Sequence, residues 1–171
     1  FQSERTRWVG QPSMSAIGRH LAEGLDVQLQ TRVGGLLPRG RHWSLSDDTG
    51  ESLGEFVRVL VTCPGPQAAA LLPVDSHCYA LAQSMRYGPC IAGMLSFDGA
   101  IKVPYDGFQL EHPVLRWAAR NSSKPNREDE ESWVIHSGPE WSRAHFDAQD
   151  EFITSELVRA FADVVGAQPE L

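Results

Sequence analysis

Five polar residues follow one another at Arg120-Asn121-Ser122-Ser123-Lys124, directly after the alternating apolar positions Leu115, Trp117 and Ala119. Arg120 and Lys124 offer cationic donors to a phosphate or carboxylate, Asn121 can pair with a carboxamide, and Ser122 adds a hydroxyl. His136 is a second candidate, ending the apolar run Trp133-Val134-Ile135. Tyr87 and Trp117, with Trp133 and Trp141, have the shape to wall a pocket for a flat ring. No Ser-His-Asp arrangement and no pair of catalytic carboxylates can be argued from spacing. Each also has a plainer reading. The polar run reads as a solvated turn, with Arg120 paired to an acid. His136 reads as a structural strand histidine and Trp133 as core.

Composition limits what the positioned ligand can be. The chain has 171 residues, 42% hydrophobic and 22% charged, which is globular and large enough for a real core. Its net charge of −7 argues against nucleic acid or an anionic membrane as partner. No apolar run approaches the roughly 20 residues of a membrane span. Cys63, Cys78 and Cys90 are widely spaced, without a C-x-x-C, so neither a disulfide framework nor a metal site is expected. Each reads as a small buried hydrophobe, and a reducing cytoplasm is the expected compartment.

The elements that must hold the candidates follow from periodicity. Met14, Ile17 and Leu21 predict a short helix with Ser13 as N-cap and Gly24 as stop. Val27, Leu29, Thr31 and Val33 predict a strand, ended by Gly34-Gly35 and Pro38. Trp43 and Leu45 form a second strand, Asp47-Asp48-Thr49-Gly50 a turn, and Phe56–Val61 a more buried third strand. Helices are predicted over Gln67–Leu72 and Ser76–Met85. Strands follow at Cys90–Phe97, Phe108–Leu110, around Trp117 and at Trp133–His136, with Glu128–Glu131 a solvated loop. Phe152, Ile153, Leu157, Phe161 and Val164 predict a final helix over Asp150–Val165. The fold class is α+β, with a largely antiparallel or mixed sheet and flanking helices.

Three segments together resemble one family: Trp8-Val9-Gly10-Gln11-Pro12-Ser13-Met14, Val59-Leu60-Val61-Thr62-Cys63-Pro64-Gly65-Pro66, and Trp117-Ala118-Ala119-Arg120-Asn121-Ser122-Ser123-Lys124-Pro125 with Trp133–His136 downstream. The chain is similar to the bacterial renalase-like flavoproteins, within the flavin-containing amine oxidase group. Family members often carry glycine where this chain has Ser13. The resemblance implies an FAD-dependent oxidoreductase that oxidises dihydronicotinamide dinucleotide isomers by hydride transfer to flavin, with oxygen as reoxidant. An amine is the alternative substrate. A non-catalytic binding module is the alternative of another class.

The resemblance also assigns roles. Residues 1–66 would be a helix and β-meander that pack on an FAD-binding domain, and 67–171 a substrate-binding domain. Val33, Pro64 and Gly65 would lie near the cofactor. Arg120, Asn121, Ser122, Lys124, His136, Tyr87 and Trp117 would meet the substrate. Gly34-Gly35-Leu36-Leu37-Pro38 is not the G-x-G-x-x-G that brings backbone N–H groups to a pyrophosphate. The chain begins Phe1-Gln2-Ser3, so it is expected to be a piece of a longer flavoprotein that does not hold FAD by itself.

Overall fold

A computed structural model describes residues 8–127 and 130–166. Two compact units result: one takes the chain up to Gly24 and again from Gly88, and the other is Leu25–Tyr87.

In the Leu25–Tyr87 unit, β1 (Val33–Arg39), β2 (His42–Asp47) and β3 (Ser52–Phe56) form an antiparallel meander in that order. The turn after β2 is closed by Asp47, whose Oδ1 accepts from the Thr49 hydroxyl at 2.7 Å and from the Glu51 and Thr49 amides at 2.8 and 2.9 Å. Those bonds favour the ionised carboxylate, so the Asp47 pKa is lowered, with the Thr49 hydroxyl the largest cause. Both flanking strands differ from expectation. The first begins at Val33 instead of ending there, and the third stops at Phe56 instead of starting there. Val33 pairs with Asp47, the last residue of β2, so β1 has no partner to extend against on that side, and Phe56 pairs with Trp43, one residue from the start of β2. Gly34 and Gly35 sit inside β1 and do not end it. A Cβ on Gly34 would lie 2.6 Å from the Asp47 carbonyl oxygen, and one on Gly35 would lie 2.5 Å from Ser46 Oγ. Pro38 is tolerated because β1 is an edge strand.

Two helices complete this unit, α2 (Gly65–Leu71) and α3 (His77–Ser84). Ser76 caps α3, accepting from the Tyr79 amide at 3.1 Å.

The other unit opens with α1 (Ser15–Leu21), whose N-cap is Met14 and not Ser13. The Ser13 hydroxyl is instead 2.7 Å from Ser15 Oγ. Its sheet has the order β4-β7-β6-β5, all antiparallel, from β4 (Ala92–Phe97), β5 (Gly107–Gln109), β6 (Leu115–Arg120) and β7 (Glu131–Ser137). A short helix, α4 (Pro139–Ala144), lies outside the segments whose periodicity predicts helix; it starts with Pro139 in the first turn, where a missing N–H costs nothing. The last helix, α5 (Asp150–Val165), has Asp150 and Glu151 in its first turn and Gly166 at φ 70° as its cap.

Leu157, Ala160 and Phe161 of α5 pack on Leu115, Ala118, Trp133 and Ile135, which makes the core. Trp133 meets Phe161 at 5.3 Å between ring centroids and Phe108 at 5.9 Å. At the far end of β7, the buried hydroxyls of Ser137 and Ser142 lie 2.5 Å apart, and both accept from the Ile91 amide. The three cysteines are all exposed, not buried as expected. Each lies outside the sheets, in a connection or a short helix, where no core is available to it.

Candidate functional site

Strand alternation divides the four-stranded sheet into two faces. Trp133 and Ile135 point into the core, so Ser132, Val134 and His136 take the other face. A register shift between Leu115 and Trp117 keeps both Leu115 and Ala118 buried and turns Trp117 and Ala119 to that same other face. Ala92, Met94 and Ser96 of β4 and Gly107 and Gln109 of β5 share it. Met94 is 87% exposed, whereas α5 covers only the core face.

On this open face two predicted residues come together. Trp117 pairs directly with His136, with ring centroids 4.6 Å apart and planes tilted by 36°. Both are half-buried. They pack against one another as an aromatic pair beside Ala92 and Ala119, apolar surface that a planar ring can contact. Four residues along β6 the strand gives way to Asn121, about 13 Å away at the usual strand rise.

Arg120 is not part of that face. Its guanidinium lies over the Trp133 ring, 4.9 Å from the centroid. Nε donates to Glu131 Oε1 at 3.0 Å, Nη1 to Asp106 Oδ1 at 2.9 Å and Nη2 to the Ile101 carbonyl at 2.5 Å. Glu131 Oε1 also accepts from Trp133 Nε1 at 2.7 Å. The Arg120 and Glu131 side chains are only 17% and 12% exposed, while Asp106 is 63% exposed. Arg120 therefore pins the segment from Ile101 to Asp106 to the end of the sheet. Glu131 was expected in a solvated loop. It belongs to β7 and anchors this cluster; Glu128 and Asp129 of the same run lie outside the described residues.

The loop after Arg120 is largely self-bonded. The Asn121 amide donates to the Ser132 carbonyl at 2.6 Å, and Asn121 Oδ1 accepts from Lys124 Nζ at 3.2 Å. Partial burial, and then the charge of Arg127, push the Lys124 ammonium below its usual pKa. Ser122 Oγ is buried with no hydrogen-bond partner among the described residues.

Tyr87 belongs to the Leu25–Tyr87 unit, where its hydroxyl accepts from the Gly65 amide at 2.7 Å. A Cβ on Gly65 would lie 2.7 Å from the Ala82 carbonyl oxygen, so the glycine is explained by packing of α2 on α3. The Pro64 carbonyl accepts from the Ala68 amide at 2.9 Å. Pro64 and Gly65 thus form no cradle of free N–H groups for a dinucleotide. Val33 is half-buried at the start of β1. Among the described residues no group of His, Cys, Asp and Glu could hold a metal ion, and no helix is long and apolar enough to cross a membrane.

Two antiparallel sheets, one a meander and one a four-stranded sheet covered by a helix on a single face, define an α+β architecture in which the other face of the second sheet presents an aromatic pair. The chain belongs to the flavin containing amine oxidoreductase family, whose profile matches residues 1–170. It is similar in structure to a variant of putrescine oxidase redesigned in its cofactor binding, with a TM-score of 0.66 and 16% identity over 86% of this chain and 33% of that one. It is also similar to a protein from Exiguobacterium sp. 255-15 provisionally assigned as a protoporphyrinogen oxidase, with a TM-score of 0.67 and 19% identity over 93% of this chain and 37% of that one. The chain therefore spans about a third of the length of the solved proteins it matches. Family membership implies FAD as the cofactor of the full-length protein.

Proposed function

We propose that this chain is the substrate-binding portion of a renalase-like FAD-dependent oxidoreductase that oxidises dihydronicotinamide dinucleotide isomers. When bound, the flavin supplies a two-electron acceptor for the substrate hydride, and oxygen is the final oxidant. The observation that carries the reading is the Trp117–His136 pair on the uncovered sheet face. A dihydronicotinamide ring is planar and uncharged, and such a surface holds it by stacking.

In this reading residues 67–171 bind the small-molecule substrate, and residues 1–66 meet the FAD-binding part of the same protein. Trp117 and His136 orient the ring, Asn121 and Ser122 offer hydrogen bonds at the other end of the face, and Lys124 offers charge to a phosphate. Arg120 acts behind them by holding the sheet end, and Tyr87 by fixing the Gly65 corner. Contact with the cofactor falls to Val33 and to the Pro64–Gly65 corner, through surfaces other than the Gly65 N–H. A reducing compartment such as the cytoplasm suits the three free cysteines.

The family's own description favours an amine as the second reading. Against it, the strand positions on the open face carry no carboxylate for an ammonium group. Glu130, just before β7, is engaged by the Ser96 hydroxyl at 2.6 Å. Anaerobic stopped-flow reduction of the full-length flavoprotein tests the choice. Faster reduction by dihydronicotinamide isomers is expected; faster reduction by amines would reverse it.

A further inference from the structure

The edge strand β5 is short, yet it is held from several sides. Phe108 packs toward the core, with ring centroids 5.9 Å from Trp133 and 5.3 Å from Tyr105. Just before the strand, the Arg120 amide donates to the Asp106 carbonyl at 2.8 Å; just after it, the Leu110 amide donates to the Arg116 carbonyl at 3.1 Å. The Arg120 guanidinium holds the Asp106 carboxylate as well. The backbone of Gln109 is therefore fixed on both sides, as a positioned side chain requires.

Gln109 is also what β5 offers to the open face. Strand alternation turns Gly107 and Gln109 there, and Gly107 carries no side chain. The register then places Gln109 in one cross-strand row. Gln109 pairs with Trp117, Trp117 with His136, and His136 with Ala92. Direct cross-strand neighbours on one face have Cβ atoms about 4.5–5.5 Å apart, so the Gln109 carboxamide stands beside the indole. It is exposed and, among the described residues, its amide makes no hydrogen bond. The Ser96 hydroxyl on the same face is already spent on Glu130.

A carboxamide carries a donor and an acceptor on one planar edge. A second primary carboxamide satisfies both at once, through two N–H···O bonds. A phosphate or carboxylate has no donor to give, and an ammonium group has no acceptor. The row therefore joins a surface for a flat ring to a group that reads a carboxamide at that ring's edge.

We infer that Gln109 is a specificity-determining residue: its side chain pairs with the ring carboxamide of a dihydronicotinamide that rests on Trp117 and His136. This rests on the substrate reading proposed above and adds to it the group that distinguishes one planar ring from another.

The test uses the full-length flavoprotein, its Gln109→Leu and Gln109→Glu variants, and two reductants. One is a dihydronicotinamide dinucleotide isomer; the other is the same isomer with a 3-acetyl group replacing the carboxamide, which removes the N–H donor. Anaerobic stopped-flow reduction gives Kd and limiting rate. Each variant is compared with wild type on the same reductant, so the different redox potentials of the two cancel. Gln109→Leu is expected to weaken binding of the carboxamide substrate about tenfold and of the acetyl analogue less than about threefold. Gln109→Glu, an acceptor without a donor at neutral pH, is expected to lose the same preference. Equal losses on both reductants would make Gln109 a structural residue and overturn the inference. So would an unchanged Kd in Gln109→Leu, or a preference retained in Gln109→Glu. In either case wild type still reduced by the isomers would leave the substrate reading standing. Wild-type flavin reduced by amines and by neither dinucleotide would defeat that reading, and the inference with it.

Discussion

Trp117 and His136 face each other across β6 and β7, 4.6 Å between ring centroids, on the face of the sheet that α5 does not cover. Two residues 19 positions apart in sequence thus become one surface.

If that surface stacks the substrate ring, Trp117→Ala in the full-length flavoprotein should weaken substrate binding by roughly two- to tenfold. A lost aromatic contact is worth about 0.5–1.5 kcal/mol, and 1.4 kcal/mol is a factor of ten. The Kd from the concentration dependence of anaerobic flavin reduction measures it. An unchanged Kd would remove Trp117 from the site.

Asn121→Ala should slow the limiting rate of flavin reduction by roughly tenfold, because one desolvated hydrogen bond is worth about 1–3 kcal/mol. Arg116→Ala is the control, since its side chain is exposed and lies only within 3.9 Å of exposed Glu140. The Asn121–Lys124 contact sets the competing outcome. A lower melting temperature at an unchanged rate would make Asn121 a loop-holding residue only.

Arg120→Ala should cost stability first. It leaves the Glu131 carboxylate, 12% exposed, without its cation. Breaking such a pair costs about 3–5 kcal/mol, and each kcal/mol is about 2–4 °C for a chain of this size. A melting temperature lowered by roughly 6–20 °C is the expected result by calorimetry. A shift below 2 °C would show the cluster to be worth no more than a surface ion pair.

Gly65→Ala should destabilise the packing of α2 on α3 by about 1–3 kcal/mol, because the new methyl meets the Ala82 carbonyl and Met85. Urea unfolding monitored in the far ultraviolet gives the value. A neutral result would mean that the α2–α3 contact yields without cost.

Asp47 gives a pH prediction. Its folded pKa lies below the ordinary 3.8, so its contribution to stability is fully present above the unfolded value and is lost as pH falls through the folded one. Its carboxyl resonance should titrate below 3.8, and Thr49→Val should move the midpoint back up, since the Thr49 hydroxyl is the largest cause. An unmoved midpoint would assign the shift to the backbone amides of the turn.

Much of the chain was legible as written. Sixteen residues with apolar side chains on one stripe specify α5, and short alternating runs with turn residues between them specify β2, β4, β6 and β7. The α+β class and its antiparallel sheets follow from that order. So does the polar cluster at the end of β6, because a strand period that stops at Arg120 leaves the next residues in a loop. These are local properties, set by side-chain period and backbone preference over a few residues.

Tertiary structure alone decided how far the strands run and what the polar groups touch. Val27–Thr31 and Val57–Val61 have the strand pattern, yet a strand exists only while a neighbour supplies hydrogen bonds, and the pairings with β2 begin at Val33 and end at Phe56. Arg120 reads as a ligand-binding cation until Glu131, Asp106 and the Ile101 carbonyl converge on it from two other parts of the chain. Trp117 and His136 read as an isolated aromatic and a lone histidine until the register of β6 on β7 sets them face to face. Sequence fixes which side chains can pair; only the register and the packing of distant elements determine which of them do.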